Sequence, residues 1–192
     1  MSAGVNSISS DAMTANAIAG QFDAIVYNVG MSIAIACMSM VGQCYGAGLI
    51  DRVKKTVGVS AIYATVASLS LGTTFVIFSS FLLDIMTDSA SVIAIGKEQL
   101  TVVCLTHFIT SLMEVFSFSL RALKRPNCTM VVGFICGFGI RTLWATLIWK
   151  ALGGGVGTLF FAYGVSAFCA MITYVIIFAN VIKKERQVTE IQ

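Results

Sequence analysis

Asp23, Glu114 and Arg141 each fall inside a long apolar run, as do the single histidine, His107, and the polar residues Tyr27, Asn28 and Gln43. A charge at the centre of a bilayer costs about 2.5–3.5 kcal/mol on insertion scales, so such residues face a cavity or a partner. Two chemistries suit this set. An internal ion pair, Glu114–Arg141 or Asp23–Arg141, would hold helices together, with Arg141 in a structural role. Alternatively, Asp23, Tyr27, Asn28, His107 and Glu114 would line a polar cavity that binds a substrate, a cation or a coupling proton. The residues alone leave both open, because they do not show which helices are neighbours.

Enzymatic chemistry is not expected. No catalytic residue is identified, since His107 has no recognisable nucleophile or carboxylate motif around it. Cysteines 37, 44, 104, 128, 136 and 169 contain no Cys-x-x-Cys pair, so neither a metal site nor a disulfide framework is read from them. They suit packing as small apolar side chains. The Gly-Gly-Gly-Val-Gly stretch at 153–157 lacks the Lys-Ser/Thr ending of a phosphate loop and reads as an external turn. No cofactor is expected.

The elements that must position the polar groups are apolar throughout. Hydrophobic residues make up 57% of the chain and charged residues 11%, with a mean hydropathy of +0.90, which is a membrane composition. Five runs, at 16–45, 55–83, 92–120, 127–149 and 157–182, each reach the roughly 20 helical residues that cross a hydrocarbon core. The fold class is thus an all-α membrane protein, a single bundle of five transmembrane helices over residues 1–192. Its first partner is the lipid bilayer. Within the fourth run, Gly133 and Gly137 form a Gly-x-x-x-Gly pair that predicts close helix packing inside the chain. Pro126 stands at that run's start, where its missing N–H is harmless.

Loop charges orient the runs. Arg52, Lys54 and Lys55 follow the first, Arg121, Lys124 and Arg125 follow the third, and Lys183, Lys184 and Arg186 follow the fifth. The intervening loops hold only Lys97 and Lys150. By the positive-inside rule the C-terminus is cytoplasmic and the N-terminus outside, in a multi-pass protein of the plasma (inner) membrane. The net charge of +3 is accounted for by these loops, and no nucleic-acid partner is implied. Residues 1–15 do not read as a signal peptide. A span entering from outside without a leader implies at least one earlier helix, so the chain is expected to be a fragment.

Several segments together carry a family resemblance. Residues 41–48, Val-Gly-Gln-Cys-Tyr-Gly-Ala-Gly, followed by Asp51-Arg52 and Lys54-Lys55, resemble the end of a lobe's second helix in the multidrug and toxic compound extrusion (MATE) family. The stretch from Ala15 and Ile18 to Phe22-Asp23 is similar to that family's entry into the same helix. Ser119-Leu120-Arg121-Ala122-Leu123-Lys124-Arg125-Pro126 is similar to its Leu-Arg-Gly-Leu-Gly loop after the tenth helix. Ile140-Arg141 followed by Trp144 resembles an element of the eleventh.

The resemblance implies that the five spans correspond to helices eight to twelve of a twelve-helix transporter, a partial C-terminal lobe. It also implies a secondary active antiporter exporting drugs, organic cations or other amphiphiles in exchange for Na+ or H+. The partners it implies are amphiphilic or cationic small molecules and the N-terminal lobe of the same transporter, without which the fragment is expected to be inactive. The family's tenth-helix aspartate position falls near Thr110, one turn from Glu114, so the role does not transfer directly to Glu114. Two rivals are a lipid-linked oligosaccharide flippase or polysaccharide exporter of the same superfamily, and a non-transporting membrane scaffold subunit. The first would favour a more cationic cavity, and the second would use the buried ionisable groups for pairing alone.

Overall fold

In a computed structural model of the chain, residues 10–87, 89–140, 142 and 156–189 are described. All regular structure among them is helical. In chain order these are α1 (Ser10–Gly46), α2 (Ile50–Ile77), α3 (Ser79–Met86), α4 (Ala90–Ala122), α5 (Pro126–Val132), a π-helical segment over Gly133–Ile140, and α6 (Val156–Thr189).

Local chemistry sets the helix ends. Beyond α1, the Gly48 N–H bonds the Tyr45 carbonyl at 3.0 Å and the Leu49 N–H bonds that of Cys44 at 2.9 Å. This is a Schellman closure, and Gly48 takes the left-handed φ of 72° that it needs,. The end of α4 repeats the pattern, with Lys124 N–H to Arg121 and Arg125 N–H to Leu120. There the left-handed position is filled by Lys124, at φ 59°. Pro126 sits in the first turn of α5, as its missing donor predicts.

Two runs depart from the expected single α-helices. The run at 55–83 is divided at Phe78 between α2 and α3. The break falls beside the Ser79-Ser80 pair, and the Phe78 N–H still reaches the Thr74 carbonyl at 3.0 Å. The fourth run begins as α5 but becomes π-helical where Gly133, Gly137 and Gly139 remove the side chains that favour regular α geometry. Its remainder, residues 141 and 143–149, lies outside the described residues. So do residues 153–155 of the expected external turn, whereas Val156 and Gly157 open α6 as helix.

Three helical stretches, Ala17–Gly46, Ile50–Ile77 and Gly164–Gln187, are long and apolar enough to cross a membrane, and Pro126–Gly137 is a shorter apolar helix. The third run forms α4, a helix of 33 residues that also carries Lys97, Glu98, Glu114 and Arg121. Large apolar side chains point outward, including Ile62, Ile77, Phe134 and Met130, an outer surface suited to lipid rather than water.

Side-chain pairs give the relative directions. Phe22 with Phe75 and Gly30 with Ser68 make α1 and α2 antiparallel. Asp23 with His107 and Cys37 with Ser119 make α1 and α4 parallel. Thr129 with Tyr174 and Arg125 with Glu185 make α5 and α6 antiparallel. These are the directions that successive spans must take. α4 lies at the centre, packed on α1, α2 and α6.

The core is in two apolar parts. One joins Val41, Val53, Leu120, Leu123 and Ile182, and the other joins Ile18, Phe22, Leu83 and Leu100. Between them lies a polar layer, and most of the candidate site residues are there.

Candidate ion- and substrate-binding site

The parallel packing of α1 on α4 is close because α1 presents Gly30 at the crossing. A Cβ there would lie 3.0 Å from the Ser111 Cβ and 3.5 Å from the Ser68 hydroxyl. Ser68 and Ser111 are both buried and share a 2.6 Å hydrogen bond between α2 and α4. This satisfies two hydroxyls that lipid could not. The small residue and the two serines bring three helices together at one level, and the ionisable groups are held around that junction.

Asp23 and His107 meet to one side of this junction, about two turns before Gly30 on α1 and one turn before Ser111 on α4,. The His107 Nε2 contacts the Asp23 Oδ1. His107 is buried, whereas the Asp23 side chain is 38% exposed. The other ring nitrogen, Nδ1, is buried with no hydrogen-bond partner among the described residues. Tyr27 lies one turn along α1 from Asp23, its ring centroid 6.3 Å from that of His107. Its hydroxyl donates to the Met31 Sδ at 3.8 Å, a weak acceptor, and it also faces Glu114.

Glu114 stands two turns beyond His107 on α4, about 10 Å along the axis. It is half-buried and makes no ion pair within 4.0 Å among the described residues. It lines a cavity of about 270 Å³ bounded by α4, α5, the π-helical segment and α6. The polar groups around it are Ser117, Thr129, Ser166 and Tyr174, and Arg121 supplies the opposite charge. The Tyr174 hydroxyl donates to the Thr129 carbonyl at 3.0 Å, tying α6 to α5. The Arg121 guanidinium rests over the Phe118 ring at 4.6 Å, a cation–π contact that holds it at the cavity edge.

The expected residues are thus partly united. Asp23, Tyr27 and His107 form one cluster, and Tyr27 faces Glu114, which lies two turns further along the same face of α4 and opens toward α5 and α6,. Asn28 is not in this group. It is exposed on the outer face of α1, where its backbone carbonyl accepts the Ser32 hydroxyl at 2.8 Å. Arg141 lies outside the described residues, and with it both of the ion pairs expected from the sequence. Asp23 instead has His107, the histidine for which no partner could be recognised in sequence.

Among the described residues the Gly-x-x-x-Gly pair meets no helix backbone closely. Among these residues a Cβ on Gly133 would meet the Tyr174 hydroxyl, at 3.5 Å, and one on Gly137 would meet nothing within 4 Å. These glycines wall the cavity instead. Arg121 was missed as a site residue because its sequence position marks it as a loop charge, yet its long side chain reaches back along the helix. No three His, Cys, Asp or Glu side chains among the described residues are grouped to hold a metal ion. What the arrangement offers is two carboxylates at membrane depth, suited to binding protons or cations.

Comparison with known proteins agrees with this architecture. A family model, MatE, matches residues 1–147. No curated protein matches the chain. Among solved structures, the chain is similar to the Vibrio cholerae MATE transporter VcmN in its bent form, with 16% identity and a TM-score of 0.83. The match covers 96% of this chain and 42% of that one, so the chain spans less than half the length of the structure whose fold it shares.

Proposed function

This chain belongs to the MatE family, and from that premise we propose that it forms part of a secondary active antiporter exporting organic cations or other amphiphiles in exchange for Na+ or H+. The observation that carries the reading is Glu114, a half-buried carboxyl in a polar cavity without an ion pair among the described residues. Left charged and unoccupied at membrane depth it is costly. A proton or cation removes that cost, so successive occupants compete for one acid. Release of one on arrival of the other is the elementary step of exchange.

Asp23 has a different share of the work. With His107 against it, its charge is answered locally, and the pair joins α1 to α4. Tyr27 lies between this pair and Glu114 and can exchange its weak bond to Met31 for one to the Glu114 carboxylate. Organic cations would be attracted to aromatic faces such as Tyr27 and Tyr174, each contributing about 0.5–2 kcal/mol. Alternating access by rocking lobes is the physical logic of repeat-built carriers. Because the chain spans 42% of the transporter it resembles, the transport unit in this reading is the bundle with a second lobe, and the bundle alone is inactive. The N-terminus lies outside and the C-terminus in the cytoplasm of the plasma membrane, consistent with the loop charges.

The oligosaccharide flippase is less well supported, since among the described residues the cavity sets one guanidinium against a carboxyl rather than clustering cations for a pyrophosphate. The scaffold reading is separated by assay. In everted vesicles carrying the complete transporter, an imposed Na+ or H+ gradient should drive ethidium uptake, and Glu114→Gln and Asp23→Asn should reduce it at equal expression. Normal pumping by both variants would remove the site assignment, and no gradient-driven uptake by the parent would remove the antiporter reading.

A further inference from the structure

Three loops converge at one end of the bundle. Ile50 and Val53 of α2, Leu120 and Leu123 of α4 and Ile182 of α6 are buried in one apolar cluster. Each lies within two residues of a cation, and Arg52, Lys54, Lys55, Lys124, Lys183 and Lys184 are all exposed around the cluster. Two acids accompany them, Asp51 and Glu185, and Glu185 reaches Arg125 at 4.0 Å. None of the exposed cations just named makes an ion pair within 4.0 Å among the described residues. By contrast, the segment 84–98 at the opposite end holds Asp84, Asp88 and Glu98 with one lysine, Lys97. Like charges gathered at one level repel, and a partner of opposite sign relieves that repulsion.

What lies beneath these cations identifies the partner. On α2, Arg52, Lys55, Val59, Ile62 and Val66 follow at intervals of three and four and are all exposed. They form one face, opposite the buried Val57, Ala64 and Ser68,. The design recurs on α6, where Phe168, Ile172, Ile176, Ala179 and Lys183 share an exposed face. Opposite them, Ala170, Tyr174 and Phe178 are buried. Each face is thus an apolar track of two to three turns with a basic head, and both heads lie at the same end of the bundle. A soluble anion or an acidic protein surface would match the heads but not the tracks. An amphiphile with an anionic head and a hydrocarbon chain matches both.

We propose that Arg52 with Lys55 on α2, and Lys183 on α6, bind the phosphates of anionic phospholipids whose acyl chains lie along the tracks beside them. The arginine offers a planar fork to two phosphate oxygens, and the lysine adds a point charge next to it. Loop charges direct insertion, but that role ends once the helices are in place. In the folded bundle the same cations are left without protein partners, at the level where headgroups lie. The proposal requires only that the bundle sit in a bilayer, and it stands apart from the antiporter reading and from the cavity at Glu114.

Native mass spectrometry of the purified complete transporter tests this by counting retained lipid. Phosphatidylglycerol and phosphatidylcholine with identical acyl chains are supplied in equal amounts. The parent should retain phosphatidylglycerol at least about fivefold better, and Arg52→Gln with Lys55→Gln should reduce that preference about fivefold or more. Lys183→Gln should reduce it by a smaller factor, and it carries the test where the double variant folds poorly. Lys55→Arg keeps the charge and should keep the preference, and Lys97→Gln at the opposite end should leave it unchanged. Equal retention of the two lipids by the parent would overturn the proposal. So would a preference that survives loss of all three cations, or one that falls as far in Lys97→Gln or Lys55→Arg. Glycerol phosphate, the head without its chains, should not displace the lipid at equal concentration. Displacement by it would show a free-phosphate site and overturn the assignment to lipid. Retention is read without a gradient, so loss of ethidium uptake by the parent would count against the antiporter reading alone.

Discussion

Asp23 and Glu114 are both acids carried into apolar helices, on parallel neighbours about two turns apart in height, yet their surroundings differ,. Asp23 is partly exposed and has the imidazole of His107 against it. Glu114 has no ion pair among the described residues and opens into a cavity with four hydroxyl-bearing side chains and one guanidinium. An acid with its own counter-group is already compensated, and a ligand must displace that group to bind. An acid in an open polar cavity leaves the compensation to whatever enters. On the proposed reading, Glu114 is therefore the exchange site, and Asp23 with His107 modulates it by fixing α1 on α4.

The largest effect should come from Glu114→Gln. It keeps the shape and removes the charge on which exchange depends. Gradient-driven ethidium uptake in everted vesicles should fall about a hundredfold, equivalent to roughly 2.7 kcal/mol. Asp23→Asn retains an acceptor oxygen for the His107 Nε2 and should cost about tenfold, near 1.4 kcal/mol. The reverse order would exchange the roles of the two acids. Equal, additive losses would mean that they act as independent sites, whereas a double variant no worse than Glu114→Gln would show one coupled unit.

The junction between the acids can be perturbed without touching either charge. Ser68→Ala leaves the Ser111 hydroxyl buried without its 2.6 Å partner and should lower stability by about 1–2 kcal/mol. The double variant Ser68→Ala with Ser111→Ala removes both polar groups and should recover most of that loss. Thermal unfolding of the purified transporter reads both. If the double variant unfolds normally but loses uptake as severely as Glu114→Gln, the serines belong to the transport site and the contrast between the two acids is incomplete.

Sequence showed the helices more fully than their partners. Hydropathy placed runs at 16–45, 92–120 and 157–182 where α1, α4 and α6 are found, because a helix with an apolar surface is a local property. It did not show the break at Phe78 or the π-helical turn at Gly133–Ile140, which depend on small differences in local packing. Asp23, His107 and Glu114 were visible individually as polar residues in apolar runs. Their grouping was not, since Asp23 and His107 are 84 residues apart and meet only through the parallel packing of α1 on α4. Asn28 stands apart: its polarity suggested the cavity, and its angular position puts it on the exposed face of α1 with Gln21 and Ser32.

The smallest predicted effect lies away from both acids and serves as their control. Lys124 closes α4 with φ 59°, at the last position of the segment similar to Leu-Arg-Gly-Leu-Gly. A side chain in the left-handed region costs roughly 1–2 kcal/mol. Glycine avoids that cost but gives up roughly 0.5–1 kcal/mol through the greater freedom of the unfolded chain. Lys124→Gly should therefore stabilise by about 0.5 kcal/mol, raising the unfolding midpoint by roughly 1–2 °C. Arg121 and Arg125 still mark the loop as basic, so orientation and ethidium uptake should not change. A lower midpoint would mean that the Lys124 ammonium makes a compensating contact. Altered uptake at unchanged stability would mean that the α4 end transmits to Glu114 through Arg121, and the cavity would then have to be redrawn to include the loop.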